Sequence, residues 1–387
     1  MINELKLSSL YLLFAVLLFA SCGSKDNDLP NDPPDEMVEY YEYYEGQNVY
    51  AAGFENDAQE NSVAKVWKNG VLQTFSKNAS GMVRASETDG LPYSAATSIY
   101  VSGDDVFVAG YEQLTSANGP FVCARLWKNG VLQHLDNRNL EHVAISVFVS
   151  DDDVYVLGYE LTTTHANIIV WKNGEAEMLA DVKLLSLFDG DVKSFTRIVN
   201  SIFVSDGDVY VVGRANNQAI LWKNGVEEIL DDGNCAQYVF VSGDDVYVAG
   251  YGTSVAGNGG SSAKLWKNGN VIDLTNAGNN SRAFSVYVFG GDVYVAGQDG
   301  AGDGSARLWK NGIVQDLPDA KDAIMFRSVF VKGNDVYVAG YVWFVPEYKP
   351  GSALLPGYFK AALWRNGKRL KLDVGQRNSE LCSIFVN

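Results

Sequence analysis

The tetrapeptide Trp-Lys-Asn-Gly occurs six times, beginning at Trp67, Trp127, Trp171, Trp222, Trp266 and Trp309, and once more as Trp-Arg-Asn-Gly at Trp364. Ahead of each copy stands a second motif close to Val-Tyr-Val-Ala-Gly, which closes on Gly53, Gly110, Gly158, Gly213, Gly250, Gly297 and Gly340. Seven copies of one unit therefore fill nearly everything after about residue 40 of the 387. A unit this small cannot bury its own apolar face and has to stack on its neighbours, so the repeat constrains the architecture far more than the activity.

The copy that begins at Tyr238 shows what one unit becomes. Tyr238 to Ser242 is β-branched and aromatic, a turn follows at Gly243-Asp244, and Val246 to Tyr251 has the same composition, which predicts a hairpin. After a loop, Ala263 to Lys267 predicts a third strand. Asn268-Gly269 is the pair that a two-residue type I′ turn prefers, because both central residues take positive φ, and Asn270 to Leu274 then returns as a fourth strand. Four antiparallel strands, repeated seven times, predict an all-β fold, a seven-bladed β-propeller of four-stranded blades. The order of apolar strand, acidic or Gly turn and Val-Tyr-Val-Ala-Gly strand resembles NHL-type and related bacterial propeller repeats over about residues 41 to 387. The resemblance implies that the first strand of each blade lines a central channel and the fourth lies outermost. It implies little about activity, since propellers host binding proteins and enzymes alike.

Both ends of the chain carry information. The C-terminal Ser383 to Val386 repeats the first-strand motif seen at Ser146 to Val149, Ser201 to Val204 and Ser328 to Val331, yet no second strand follows it. It is expected to supply the inner strand of the blade that begins near Asn48 and so seal the ring, with Tyr41 to Tyr44 as the competing candidate. At the other end, Lys6, an apolar run from Leu10 to Ala20 and then Phe19-Ala20-Ser21-Cys22 resemble a bacterial lipoprotein signal. The resemblance implies a signal peptide at 1–21, a lipidated Cys22 that begins a flexible tether at 22–36, and the propeller at 37–387. Phe19 departs from the usual Leu of that signal. Lys25-Asp26-Asn27-Asp28 resembles the tag of lipoproteins carried to the cell surface. The expected location is the outer membrane, on the outside, with the periplasmic face as the alternative, and the expected state is a monomer.

A formal charge of −17 argues against a nucleic acid partner, whose recognition needs Lys and Arg to displace phosphate counterions. Asp-rich turns between first and second strands, such as Asp151-Asp152-Asp153, are read as turn formers rather than a calcium site, and the lysines of the tetrapeptides as their partners. No metal or cofactor motif is present. Cys123, Cys235 and Cys382 are read as small buried residues, a Cys235 to Cys382 bridge being the alternative.

Those turns and the Asn-Gly turns lie at one end of the propeller, so long segments such as Glu112 to Phe121, Glu160 to Ala166 and Val342 to Phe359 lie at the other. Recognition is expected there or in the channel mouth. Trp343, outside the tetrapeptide and followed by Tyr348, is a candidate stacking platform. Further candidates follow the second-strand glycines: Tyr111, Tyr159, Tyr251 and Tyr341 as aromatics, with Arg214 and Gln298 breaking the pattern.

Signatures of catalysis are scarce. The three histidines, His134, His142 and His165, occupy unrelated repeat positions, and no GxSxG or P-loop occurs. The expectation is a chain that is not an enzyme, a noncatalytic binding or scaffold module for polysaccharide or glycoprotein. The alternative is a scaffold for a protein partner in the outer membrane. A glycosidase or lyase is a third reading, with its carboxylates drawn from Glu112, Glu160, Asp299, Asp303 and Glu347.

Overall fold

The computed structural model describes residues 44, 46–74, 94–116, 119–135, 142–161, 165–183, 198–253, 260–276, 280–300, 305–346 and 356–387. Cys22, Asp303, Glu347 and Tyr348 lie outside them, as do the segments 1–21 and 22–36 expected to be signal and tether. The compact unit runs Tyr41–Asn387. It is a ring of seven four-stranded antiparallel sheets, a seven-bladed β-propeller, in which six blades are built from four consecutive strands. The inner strands of blades two to seven are Ser94–Ser102, His142–Ser150, Val199–Ser205, Cys235–Ser242, Arg282–Phe289 and Ala323–Lys332.

Blade one is closed by the C-terminus. Its inner strand is Ser379–Val386, paired antiparallel with Val49–Asn56 in the register Val49↔Val386 to Glu55↔Ser379. Asn48 and Asn387 exchange both backbone hydrogen bonds at 2.9 Å. Tyr44 takes no part in a strand; its hydroxyl donates to the Lys371 carbonyl at 2.8 Å.

Each residue of the tetrapeptide has a separate physical task. None of the seven tryptophans exceeds 3% exposure, because each indole is packed into the core between blades. Trp67, Trp266 and Trp364 donate their indole N–H to the carbonyls of Asp373, Asp231 and Asp319, which lie in the links leaving the preceding blade. The Asn-Gly pairs form type I′ turns, with Asn at φ 49–52° and Gly at 76–90°. In every blade the Asn side chain accepts from the second strand, as Asn268 does from Val246 N–H at 2.8 Å. Its amide then donates to the residue opening that strand, Asp245 in this blade, at 2.7 Å.

Lysine completes the cluster. Lys128, Lys172, Lys223, Lys267 and Lys310 reach Asp105, Asp153, Asp208, Asp245 and Asp292 at 2.6–2.7 Å, with each ammonium near the ring of the motif Tyr or Phe. These contacts explain the acidic residues that open the second strands without invoking a metal.

Some segments read as loops are strands. The blade-two hairpin extends through Asp105–Ser116 and Gly119–Lys128, paired as far as Ser116↔Gly119, so Glu112 to Phe121 is mostly ladder. Trp343 likewise lies within Asp335–Phe344, opposite Phe359, rather than in a loop. Cross-strand side-chain pairing carries both hairpins past the length of the repeat. The outermost strands shrink instead, to two residues at Val71–Leu72, Ile313–Val314 and Lys368–Arg369.

Candidate functional site

Every inner strand ends with the same short pattern, Ser-Val/Ile-Phe/Tyr-Val, save that Tyr238 replaces Ser in blade five. The aromatic residues of that pattern form a closed ring around the channel. Tyr100, Phe148, Phe203, Phe240, Tyr287, Phe330 and Phe385 follow one another with centroids 4.5–5.1 Å apart and ring planes tilted 40–56°. Two residues earlier, serine hydroxyls stitch each inner strand to the next. Ser98, Ser146, Ser201, Ser285, Ser328 and Ser383 accept from Val147, Ile202, Val239, Val329, Ile384 and Ile99 N–H at 3.1–3.5 Å. Tyr238 breaks that ring. Burial pushes its phenol well above the ordinary tyrosine range, with Tyr287 and Tyr100 adding to the shift, so it stays a neutral donor in the bore.

Just above the serines each inner strand carries a bulge. Directly before the serine position the register skips one residue in each blade, Thr97, Ile145, Asn200, Gln237, Phe284, Arg327 and Cys382, and blade seven skips a second, Ile324, nearer its start. A bulge re-aims the extra side chain and ends regular pairing, and such positions recur beside active sites. The seven residues skipped directly before the serine position line one cavity of about 100 Å³, together with Ser98, Ser146, Ser328, Ser383, Tyr238, Phe54 and Glu380. The last Gly of Val-Tyr-Val-Ala-Gly makes the bulge possible. A Cβ on any of these glycines would strike the inner-strand carbonyl opposite, for instance that of Val143 at Gly158 or Glu380 at Gly53.

The bulge position is a place where the repeat does not repeat. The position after it is serine in every blade but one, yet this one is Thr, Ile, Asn, Gln, Phe, Arg and Cys in turn. That contrast was visible in the sequence, but without a register nothing marks this residue as facing the channel.

Charge at the mouth is uneven. Arg327 faces Glu380 at 3.6 Å and lies over the Phe284 and Tyr341 rings at 5.0 and 5.9 Å. Glu380 is the one carboxylate among the described residues lining the cavity. Asn200 donates to the Ala236 carbonyl at 2.8 Å, and Gln237 to the Cys235 sulfur at 3.0 Å. Burial raises the Cys235 thiol, opposed by the Arg214 guanidinium and by hydrogen bonds from Gln237, Tyr251 and Asn200. Cys123, Cys235 and Cys382 form no disulfide, so the Cys235 to Cys382 bridge is absent, and Cys235 is the buried one of the three.

Among the sequence candidates, the residues after the second-strand glycines lie one rank above the bulges. Tyr111, Tyr159, Tyr251, Gln298 and Tyr341 stand opposite Ala95, Val143, Cys235, Arg282 and Met325. Arg214 N–H donates to the Ile198 carbonyl. Tyr111, Tyr159 and Tyr341 are buried in packing. Trp343 is 47% exposed but leans edge-on against Phe359, away from the residues that line the cavity. The expected acids are occupied on the blades: Glu112 holds Arg125 at 2.8 Å, Glu160 accepts from Asn167 at 2.8 Å, and Asp299 accepts from Ser281 at 2.5 Å. They do not meet as a pair at the mouth.

Neither a protein-family model nor a curated protein matches this sequence. Solved structures with a similar arrangement include two Bacteroides proteins provisionally assigned as 6-phosphogluconolactonases. The one from Bacteroides uniformis ATCC 8492 is 10% identical over 88% of this chain and 99% of its own, with a TM-score of 0.43. The one from Bacteroides fragilis NCTC 9343 is 11% identical over 89% and 98%, also at 0.43. A GH43 endo-arabinanase from Bacillus licheniformis is 10% identical over 57% of this chain and 96% of its own, at 0.29. The expectation of a noncatalytic module, and of a chain that is not an enzyme, is corrected by this finding, because the similar structures are enzymes. Scores and identities this low carry neither their substrates nor their residues over to this chain.

Proposed function

We propose that the mouth of the channel is an active site for a small polyhydroxylated molecule, with Glu380 as its general base. The observation that supports this reading is the ring of seven unlike side chains that the bulges aim into one cavity. Hydroxyls and amides of Thr97, Ser98, Ser146, Asn200 and Gln237 match a ligand rich in hydroxyl groups, and Phe54 and Phe284 supply apolar faces for its C–H edges. Tyr238 adds a phenol to the same lining.

In this reading the Glu380 carboxylate takes a proton from a bound water or substrate hydroxyl. Arg327, 3.6 Å away, stabilises the negative charge that develops on the substrate oxygen. A glycosidase needs two carboxylates roughly 5–10 Å apart. One carboxylate among the described residues that line the cavity therefore favours single-base chemistry on a small substrate over cleavage of a polymer.

The test is proton NMR of the protein incubated with neutral and acidic monosaccharides, their lactones and their methyl glycosides. Turnover of one class is expected, falling about a hundredfold or more in Glu380→Gln with little change in KM. Wild-type protein that neither converts nor binds any of them defeats the reading.

We also propose that Cys22 carries lipid and anchors the propeller at the outer membrane, facing outward. Support comes from the residues around Cys22 and from Lys25 to Asp28. Palmitate labelling that persists in Cys22→Ala would overturn the anchor.

A further inference from the structure

The seam of serine hydrogen bonds around the bore is complete at six of its seven junctions. It joins every pair of neighbouring inner strands except those of blades five and six. There Tyr238 stands where the repeat has serine, and Val286, the counterpart of Val239 and Val329, finds no hydroxyl acceptor for its N–H. The Tyr238 ring packs instead against the core shared by those two blades, a cluster that includes Val286 and Val295. Giving up a hydrogen bond that the fold makes six times is a local cost, and departures of this kind are expected at functional sites.

Tyr238 also stands apart from the rest of the cavity lining. The serines accept backbone N–H groups, and Thr97 shares its hydroxyl between the Ala109 and Ala144 carbonyls at 3.1 Å. Asn200 and Gln237 are tied to their neighbours on blade five, and Arg327 faces Glu380. Among the described residues that line the cavity, Tyr238 has the one polar side chain with no hydrogen bond or ion pair to the protein. A tyrosine hydroxyl inside a fold ordinarily has a partner, so this one is left to a ligand.

We propose that Tyr238 is a specificity-determining residue of the mouth, whose hydroxyl donates a hydrogen bond to one oxygen of the polyol and so selects against analogues that lack that oxygen. The inference rests on the mouth being the substrate site, and it adds the residue that reads the substrate there. Because the contact is made in the bound state and the transition state alike, its loss raises KM and spares kcat, the reverse of the effect expected for Glu380→Gln.

The test runs the same panel of monosaccharides, lactones and methyl glycosides on wild type and Tyr238→Phe, adding the monodeoxy forms of any sugar that is bound or converted. Tyr238→Phe is expected to keep the wild-type unfolding temperature and to raise KM, or Kd for a sugar bound without turnover, about tenfold. One monodeoxy form is expected to lose the same factor against wild type and nothing against Tyr238→Phe, which identifies a direct contact. A lowered unfolding temperature, a fall in kcat at constant KM, or deoxy discrimination that persists in Tyr238→Phe overturns the inference. Loss of turnover in Glu380→Gln beside an unchanged Tyr238→Phe leaves the mouth as the site and removes Tyr238 alone. Binding that depends on Tyr238 while Glu380→Gln turns over normally keeps Tyr238 and removes the general base. Wild-type protein that neither binds nor converts any of the panel removes both.

Discussion

A single missing Cβ underlies the site. In Val-Tyr-Val-Ala-Gly the glycine has no need of positive φ in any blade; it is there because the inner strand's carbonyl comes too close for a side chain. At Gly158 an added methyl meets the Val143 carbonyl and lies 2.8 Å from the Trp171 ring, so both the bulge and the inter-blade packing would have to shift. Gly158→Ala is expected to destabilise the fold by about 3 kcal/mol in urea unfolding. Gly103→Ala is the contrast. Nothing lies within 4 Å of its Cβ, and only its φ of 57° opposes the change, at a cost of about 1 kcal/mol. Equal losses at the two positions would show that the bulge is soft and that the seven side chains at the mouth are not rigidly aimed.

The blade is the scale at which charge contributes. Asp105, Asp153, Asp208, Asp245 and Asp292 are all held below the ordinary aspartate range, first by the Lys hydrogen bond and then by the Asn of the Asn-Gly turn. A carboxyl whose folded pKa is depressed stabilises the fold above its unfolded pKa of about 4, and that contribution is lost as pH falls through the lower folded value. Asp208→Asn is therefore expected to unfold at a lower temperature than wild type at pH 7, with the two converging as pH falls below about 4 and through the lowered folded value of the wild-type carboxyl. Because these groups are exposed, about 1 M salt should also narrow the gap. A gap that is constant with pH would mean that Asp208 acts as a turn residue alone.

At the scale of the whole molecule, the ring holds because the last strand is borrowed from the far end of the chain. Leu381 and Ser379 are fully buried, and Ile384 and Val386 join Val49 and Ala51 in the core beneath blade one. Removing residues 379–387 leaves Val49–Asn56 as an open edge of unpaired N–H and C=O groups, and takes Glu380 and Cys382 from the mouth. The truncated chain is expected to self-associate, measured by light scattering after size exclusion. A stable monomer with the wild-type unfolding temperature would contradict closure by this strand.

The sequence by itself determined the number of blades, their strand order, the type I′ turns and the use of Ser383 to Val386 as the seal. Each of these is written in local residue chemistry and then repeated seven times. It also singled out Arg214, Tyr251 and Gln298 as the residues following the second-strand glycines, though not what they face. Only the tertiary structure decided that Thr97, Ile145, Asn200, Gln237, Phe284, Arg327 and Cys382 meet, because they are separated by whole blades and a bulge is a property of register between two strands. It likewise moved Trp343 from a loop into a ladder, tied Glu112 and Asp299 to arginines on their own blades, and brought Glu380 from the end of the chain to Arg327. Repetition specifies a scaffold through contacts between near neighbours, whereas a site at the axis is made of one residue from each blade, and closing the ring is what brings those residues together.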